Sequence, residues 1–402
     1  MDIKKLFSGI AVIIDDDIND ESKNIYNILK QIDKKNIPYV SYDKLPDEAL
    51  IDNLQSTSFI LLDWKLVKGL SVDDVLSGVK YSEKLEKQND EENIKFLKKI
   101  QEKCFCPVFI FTDEEVGTIK EKLQNAKIYK EGKCNNILIK AKSEIDQEES
   151  LFTALEDWLK KTAPMYLLKK WDYSYQTAKS RLFIDFQQRS PDWVKILWRT
   201  YAKEDNVNPS IELGELINRN IHAQMMPLEL DSSVFDGEAT SSYKEVVSCL
   251  KGQCFIDAEY LEKDIPNTGD LFEDNGIPYI NIRPCCDLIL RTEGGSATDI
   301  ELYLLKGESK EDKNQIKPLY SKKYGSFDYR ESSFMVFPLY KDHLVDFKFK
   351  ELVIKKWSEM KSKRKGCLLP PFLTELQIKY GAFVQRQGLP RFPKDLFMLS
   401  DS

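Results

Sequence analysis

The chain has 402 residues, enough for roughly two or three domains with hydrophobic cores of their own. Hydrophobic residues make up 42% and charged residues 31%, which excludes a disordered or low-complexity chain. The net charge of −7, with only a local basic stretch near the C-terminus, excludes the strongly basic balance of a dedicated nucleic-acid binder, so DNA binding is not expected.

No apolar run approaches the roughly 20 residues that cross a bilayer, so no membrane association is expected. The N-terminal MDIKKLFSGIAVIIDDD lacks the pattern of a signal peptide. The cysteines are scattered and none has the paired CxxC spacing of a zinc site, so they read as reduced thiols of a cytoplasmic protein.

In chain order, Ile10–Ile14 is a wholly apolar run, as a strand covered on both faces requires. Ser22–Ile32 has helical spacing, with Ile25, Ile28, Leu29 and Ile32 on one face. Phe59–Leu62 is a second buried-strand run, and residues 68–93 read as an enlarged polar loop. Ile94–Ile100 is helical, Val108–Phe111 a strand, Val116–Leu123 a helix, and Ile137–Ile139 a strand. Leu151–Leu159 closes the region as an amphipathic helix. Strands alternating with helices imply a doubly wound, five-stranded parallel sheet, an α/β flavodoxin-like domain over residues 1–162.

A boundary is expected at Thr162–Ala163–Pro164. Residues 165–230 read as a helical segment whose aromatics (Trp171, Tyr173, Phe183, Phe186, Trp193, Trp198) are expected to be core. Residues 231–402 read as a β-rich α+β domain. Its strands are expected at Tyr279–Ile282, Asp287–Arg291 and Ile300–Leu305, with closing helices at 345–362 and 371–387. The basic run at 355–366 (KKWSEMKSKRKG) reads as a solvated helix face, and Gly294–Gly295 as a turn.

In a doubly wound sheet, functional groups gather at the carboxyl ends of the strands. The first strand ends in Asp15, Asp16 and Asp17, the third in Asp63, the fourth in Thr112 and Asp113. The fifth ends in Lys140, with Lys142 pointing to the same side. Clustered carboxylates repel one another unless a cation sits among them, and hard oxygen ligands suit Mg²⁺. Carboxylates, a hydroxyl and an amine in one crevice suit phosphoryl transfer to a carboxylate.

The motifs VIIDDD, FILLDWKL, PVFIFTDE and ILIKAK, in that order, resemble the strand ends of response-regulator receivers over residues 8–162. The resemblance implies that Asp15, Asp16 and Asp63 hold Mg²⁺ and that Asp63 accepts phosphate. It also implies that Thr112 is the switch hydroxyl and Lys140 the essential lysine, with Lys142 the alternative. Three positions depart from the family pattern: Lys65 two residues after Asp63, Asp113 after Thr112, and Ala141 after Lys140. An inward Asp113 would add repulsion beside the phosphoryl group.

The C-terminal half has no helix-turn-helix, no GxxxxGK[ST] loop and no nucleophile–base constellation, so no catalysis is expected beyond receiver self-phosphorylation and dephosphorylation. The segments 267–290, with a TGD turn and Pro284–Cys285–Cys286–Asp287, and 370–393 stand out. Cys285 or Cys286 is expected to be a buried small apolar residue, with a soft-metal site as the other reading. This half resembles receiver-containing proteins of bacterial anti-phage defence clusters, which implies a histidine-kinase or GHKL-type ATPase partner and a downstream effector protein. Two functions are carried forward: a phosphorelay protein, or a non-catalytic assembly module that docks its partner without phosphorylation.

Overall fold

The computed structural model describes residues 2–66, 83–145, 147–203, 208–236, 241–289, 292–293, 296–297, 299–323, 326–327 and 331–386. Two compact units emerge: residues 1–193 with 214–237, and residues 194–213 with 238–402. The boundaries expected at 162 and 230 both fall inside the first unit. Pro164 opens a helix rather than a linker, because its missing N–H costs nothing in a first helical turn.

The first unit is built on strands β1 (Ile10–Ile14), β2 (Tyr39–Tyr42), β3 (Thr57–Leu62), β4 (Val108–Thr112) and β5 (Ile137–Ala141). All pair in parallel in the order β2-β1-β3-β4-β5, the flavodoxin-like arrangement. Alternation sorts their side chains into two cores. Ala11, Ile13, Phe59, Leu61, Phe109 and Phe111 face one way, against helices α1 (Asn24–Lys34) and α4 (Ser150–Lys160). Val12, Ile14, Ile60, Leu62, Val108 and Ile110 face the other, against α2 (Glu83–Lys103) and α3 (Val116–Asn125). Residues 83–93, expected as loop, therefore belong to α2, while 68–82 lie outside the described residues.

Helices α5 (Ala163–Arg189), α6 (Trp193–Tyr201) and α7 (Pro209–Met225) follow. The expectation that their aromatics are core is corrected: Trp171, Phe183 and Trp198 are exposed, and Trp193 is the buried one. Only a small cluster, including Ala178, Leu182, Ile221 and Met225, closes between α5 and α7. Lys169 on α5 is nevertheless buried, donating to the Ser58 carbonyl at 3.1 Å and pairing with Asp172 at 3.2 Å.

The second unit holds a seven-stranded antiparallel sheet. Helix α8 (Tyr243–Cys254) leads into β6 (Phe255–Asp257), β7 (Asp270–Asp274) and β8 (Ile277–Asn281). Strands β9 (Glu301–Lys310), β10 (Ser333–Val336), β11 (Leu344–Lys356) and β12 (Arg364–Leu368) complete it, before α9 (Phe372–Gln385). The order is β10-β11-β9-β8-β7-β12-β6. The closing helix expected at 345–362 is corrected: most of it is β11, followed by a single α-turn, Trp357–Met360, and a 3₁₀ turn, Lys361–Lys363. Val345, Phe347 and Phe349 alternate with Asp346 and Lys348, a period of two that buries the apolar set in one core. Of the strand expected at Asp287–Arg291, residues 290–291 lie outside the described residues, and the described part is corrected, since Asp287 ends a short 3₁₀ turn, Cys285–Asp287. Gly294–Gly295, residue 387 and the Gly-Leu-Pro stop lie outside the described residues.

The basic run is not a solvated helix face. Lys355 and Lys363 both reach Asp274, at 2.8 and 3.0 Å, and Lys361 pairs with Asp264. Arg364 is buried and donates to Asp270 Oδ1 at 2.8 Å and to the carbonyls of Glu262 and Ile265. The TGD turn serves this pair. Gly269 has φ +91°, and a Cβ there would stand 2.6 Å from the Leu368 carbonyl. Asp270, fully buried, also accepts from the Asn267 N–H. Removing one member of a buried pair strands the other charge, at a cost of about 3–5 kcal/mol, whereas replacing both costs less. Arg364→Met should therefore destabilise the second unit by that amount in denaturant titration, and Asp270→Asn with Arg364→Met by less. Equal losses in the two variants would contradict this role for the pair.

Candidate functional site

Three strand ends converge at the carboxyl edge of the parallel sheet. Ile14 and Leu62 are partners in register, so Asp15 and Asp63 stand side by side. Backbone bonds fix both: the Asp15 N–H donates to the Tyr42 carbonyl at 3.0 Å, and the Asp63 N–H to the Ile14 carbonyl at 2.8 Å. The Asp17 N–H in turn donates to Asp15 Oδ1 at 2.9 Å, holding that carboxylate in a tight turn. Asp17 itself turns away to Lys23 at 3.2 Å.

The lysine that meets these carboxylates is Lys142. Its Nζ lies 2.8 Å from Asp15 Oδ2 and 2.9 Å from Asp63 Oδ2, and all three residues are buried. Lys140, the first choice from sequence, is not brought to the cluster; it pairs with Glu144 at 2.5 Å on the half-exposed edge of the sheet. Both lysines have the same parity, but Lys140 still belongs to edge strand β5, whereas Lys142 opens the 3₁₀ turn that crosses over the sheet's end. Ala141 thus does not follow the lysine that reaches the carboxylates.

Asp15, Asp16 and Asp63 each offer a carboxylate oxygen within 4.8 Å of the others. It is the one group of three or more potential ligands among the described residues. Such oxygens suit Mg²⁺, which binds few carboxylates and keeps several waters. The half-exposed Asp16 leaves one side of the cluster open to solvent. At the zinc alternative, Cys285 and Cys286 are both exposed, which also corrects the expectation of a buried small residue there.

Thr112, fully buried at the end of β4, accepts from the Glu114 N–H at 3.0 Å and keeps its hydroxyl proton for another acceptor. Asp113 is exposed, where water screens its charge. The Lys65 N–H donates to Asp63 Oδ1 at 3.3 Å while its side chain is exposed.

Sequence reasoning missed Trp64. Its side chain is fully buried and its indole N–H donates to Asp90 at 2.8 Å. Its carbonyl accepts from Asn89 at 2.7 Å and from Asn93 at 2.6 Å. Asp90 also pairs with Lys122 of α3 at 2.7 Å. The residue after Asp63 is thereby clamped to α2 and, through Asp90, to α3. The apolar-then-Asp pattern hides this, because a Trp after a strand end does not show which way it turns.

Burial pushes the Asp63 carboxyl up to about 7, and the Asp15 charge adds to this while Lys142 opposes it. Burial works to lower the Lys142 ammonium, but the charges of Asp63 and Asp15 outweigh it and hold the group above the ordinary lysine range.

No family model and no curated protein matches the chain. Among solved structures, a chain described as a yeast Spc42 trimeric coiled coil, amino acids 181–211, fused to another structure is similar at 16% identity. The match covers 38% of this chain and 77% of that one with a TM-score of 0.24, too slight to bear on fold or function. Among the described residues, no helix is long and apolar enough to cross a membrane.

A testable pH effect follows from Asp63. Unfolded, its carboxyl titrates near 4; folded and metal-free, it holds its proton up to about 7. The folded state binds more protons between those values, so stability falls as pH rises through that window. Without Mg²⁺, the unfolding midpoint should drop between about pH 4 and pH 7 more steeply in the wild type than in Asp63→Asn. Superimposable pH profiles for the two proteins would refute the assignment.

Proposed function

We propose that the first unit is a response-regulator receiver domain and that Asp63 accepts a phosphoryl group in a phosphorelay. The observation that carries this reading is the buried Lys142 ammonium bridging Asp15 and Asp63, at the carboxyl edge of a 2-1-3-4-5 parallel sheet. A fixed cation beside a carboxylate nucleophile is placed for the charge that develops in phosphoryl transfer.

In the proposed step, an oxygen of Asp63 attacks the phosphorus of the donor. The bond from phosphorus to the leaving group breaks and an acyl phosphate forms on Asp63. Lys142 balances negative charge on the transferred group. Mg²⁺, held by Asp15, Asp16 and Asp63, supplies further charge neutralisation when bound. In this reading Thr112 donates its hydroxyl proton to the new phosphoryl oxygens. The donor is proposed to be a histidine kinase or GHKL-type ATPase, with a downstream effector protein reading the result, in a bacterial defence or stress-signalling setting.

One observation favours the assembly alternative. Lys142 already satisfies both carboxylates without a metal, so the site can stand as a structural ion-pair cluster.

Acetyl phosphate with Mg²⁺ decides between them. The wild type should take up close to one acid-stable, base-labile phosphoryl group per chain, seen on a phosphate-affinity gel, and Asp63→Asn none. Lys142→Met should slow uptake by about 10²-fold or more, the usual scale for loss of one charge-stabilising group. Lys140→Met should leave the rate near that of the wild type. A wild type that stays unlabelled supports the docking module, and a labelled Asn variant moves the phosphoacceptor elsewhere.

A further inference from the structure

A second chemically active feature sits where α2 passes into β4. Helix α2 ends at Lys103 and β4 begins at Val108, so the connection carries Cys104, Phe105 and Cys106. The Cys106 N–H donates to the Cys104 carbonyl at 2.8 Å, a three-residue γ-turn centred on Phe105. A chain that reverses over three residues brings the first and third side chains together. Here their sulfurs lie 3.6 Å apart and share a hydrogen bond. The Cys104 sulfur also lies 2.9 Å from the Leu54 carbonyl, a second acceptor within reach of its single proton.

Both thiols are buried, yet Phe105 between them is more than half exposed, so the pair lies one residue beneath the surface. Both are reduced, as are the other cysteines. A disulfide needs sulfurs about 2.05 Å apart, so closing the gap takes roughly 0.8 Å of movement by each, within reach of a side-chain rotation. Of the remaining cysteines, Cys134, Cys249, Cys285 and Cys286 are exposed, and Cys254 and Cys367 donate to backbone carbonyls.

We infer that Cys104 and Cys106 form a redox-active dithiol that a peroxide oxidises reversibly to an intramolecular disulfide. In the first step the Cys104 thiolate attacks one peroxide oxygen. An S–O bond forms, the O–O bond breaks, and the departing hydroxide takes a proton to leave as water. In the second step Cys106 attacks the sulfenic sulfur of Cys104. The S–S bond forms, the S–O bond breaks, and a second water leaves with the Cys106 proton. Two thiols and one hydrogen peroxide give one disulfide and two waters, with two electrons passing from sulfur to peroxide oxygen. The shared hydrogen bond holds the Cys104 thiol below its usual range and, with burial, pushes Cys106 up, which orders the two roles. The Lys169 charge acts on Cys106 in the opposite sense, favouring its thiolate.

The test uses the folded full-length chain exposed to hydrogen peroxide, then alkylated and digested with trypsin. Cleavage after Lys103 and Lys120 yields one peptide, residues 104–120, that holds both thiols and no other cysteine. The expected product is that peptide lighter by two hydrogens, unalkylated, and returned to the doubly alkylated form by dithiothreitol. In Cys106→Ser, Cys104 should instead stop at the sulfenic acid or proceed to the sulfinic acid. The wild-type digest stands by itself if that variant folds poorly. A wild-type peptide that stays fully alkylatable while the exposed Cys134 oxidises would overturn the inference. So would sulfinic acid as the main wild-type product.

Discussion

The first unit depends on one buried ammonium. Asp15 and Asp63 end adjacent strands, and two carboxylates so close and so far from water would repel strongly without a cation between them. Lys142 supplies that charge from the far edge of the sheet, across β4. The convergence requires β1 and β3 side by side and parallel, with the end of β5 within a lysine's reach across β4, as the order 2-1-3-4-5 provides. One cation serves only two of the three clustered carboxylates, so acidic oxygens remain for a divalent metal to meet.

The surroundings keep this cluster rigid on one side and open on the other. Trp64 fills the core next to Asp63, and its carbonyl and indole are held by three residues of α2. Asp16 is half-exposed there, and Lys65 and Asp113 are exposed. A change at Asp63 therefore acts directly on the backbone that α2 grips, and through Asp90 and Lys122 on α3. The fold thus gives a local electrostatic event a packed route to two helices.

The parallel sheet was legible because β3 and β4 are buried along their length and so read as unbroken apolar runs. β2 was not, since Tyr39–Tyr42 is an edge strand with no buried residue and no apolar run. That Asp15, Asp16 and Asp63 come together was legible from their places after strands. Choosing between Lys140 and Lys142 was not, because parity is shared and only the course of the turn separates them. In the second unit, β11 carries enough Lys and Glu to imitate a helix, and its alternation of Val345, Phe347 and Phe349 was the stronger signal. The exposed aromatics on α5 and α6 defeat the usual link between aromatic content and core, as composition does not reveal which helical faces find a partner. The basic run looked solvated because its acidic partners, Asp264, Asp270 and Asp274, lie about 90 residues earlier in the chain.

The most direct test of a phosphoryl-accepting site at Asp63, Asp15 and Lys142 is fluorine NMR of the protein with Mg²⁺ and beryllofluoride. That anion binds a carboxylate as a stable mimic of an acyl phosphate. The wild type should give resolved bound-fluoride resonances that need Mg²⁺ and vanish in Asp63→Asn. They should weaken in Lys142→Met and persist in Lys140→Met. Bound resonances that survive in Asp63→Asn, or a wild type with free beryllofluoride alone, would contradict the central claim.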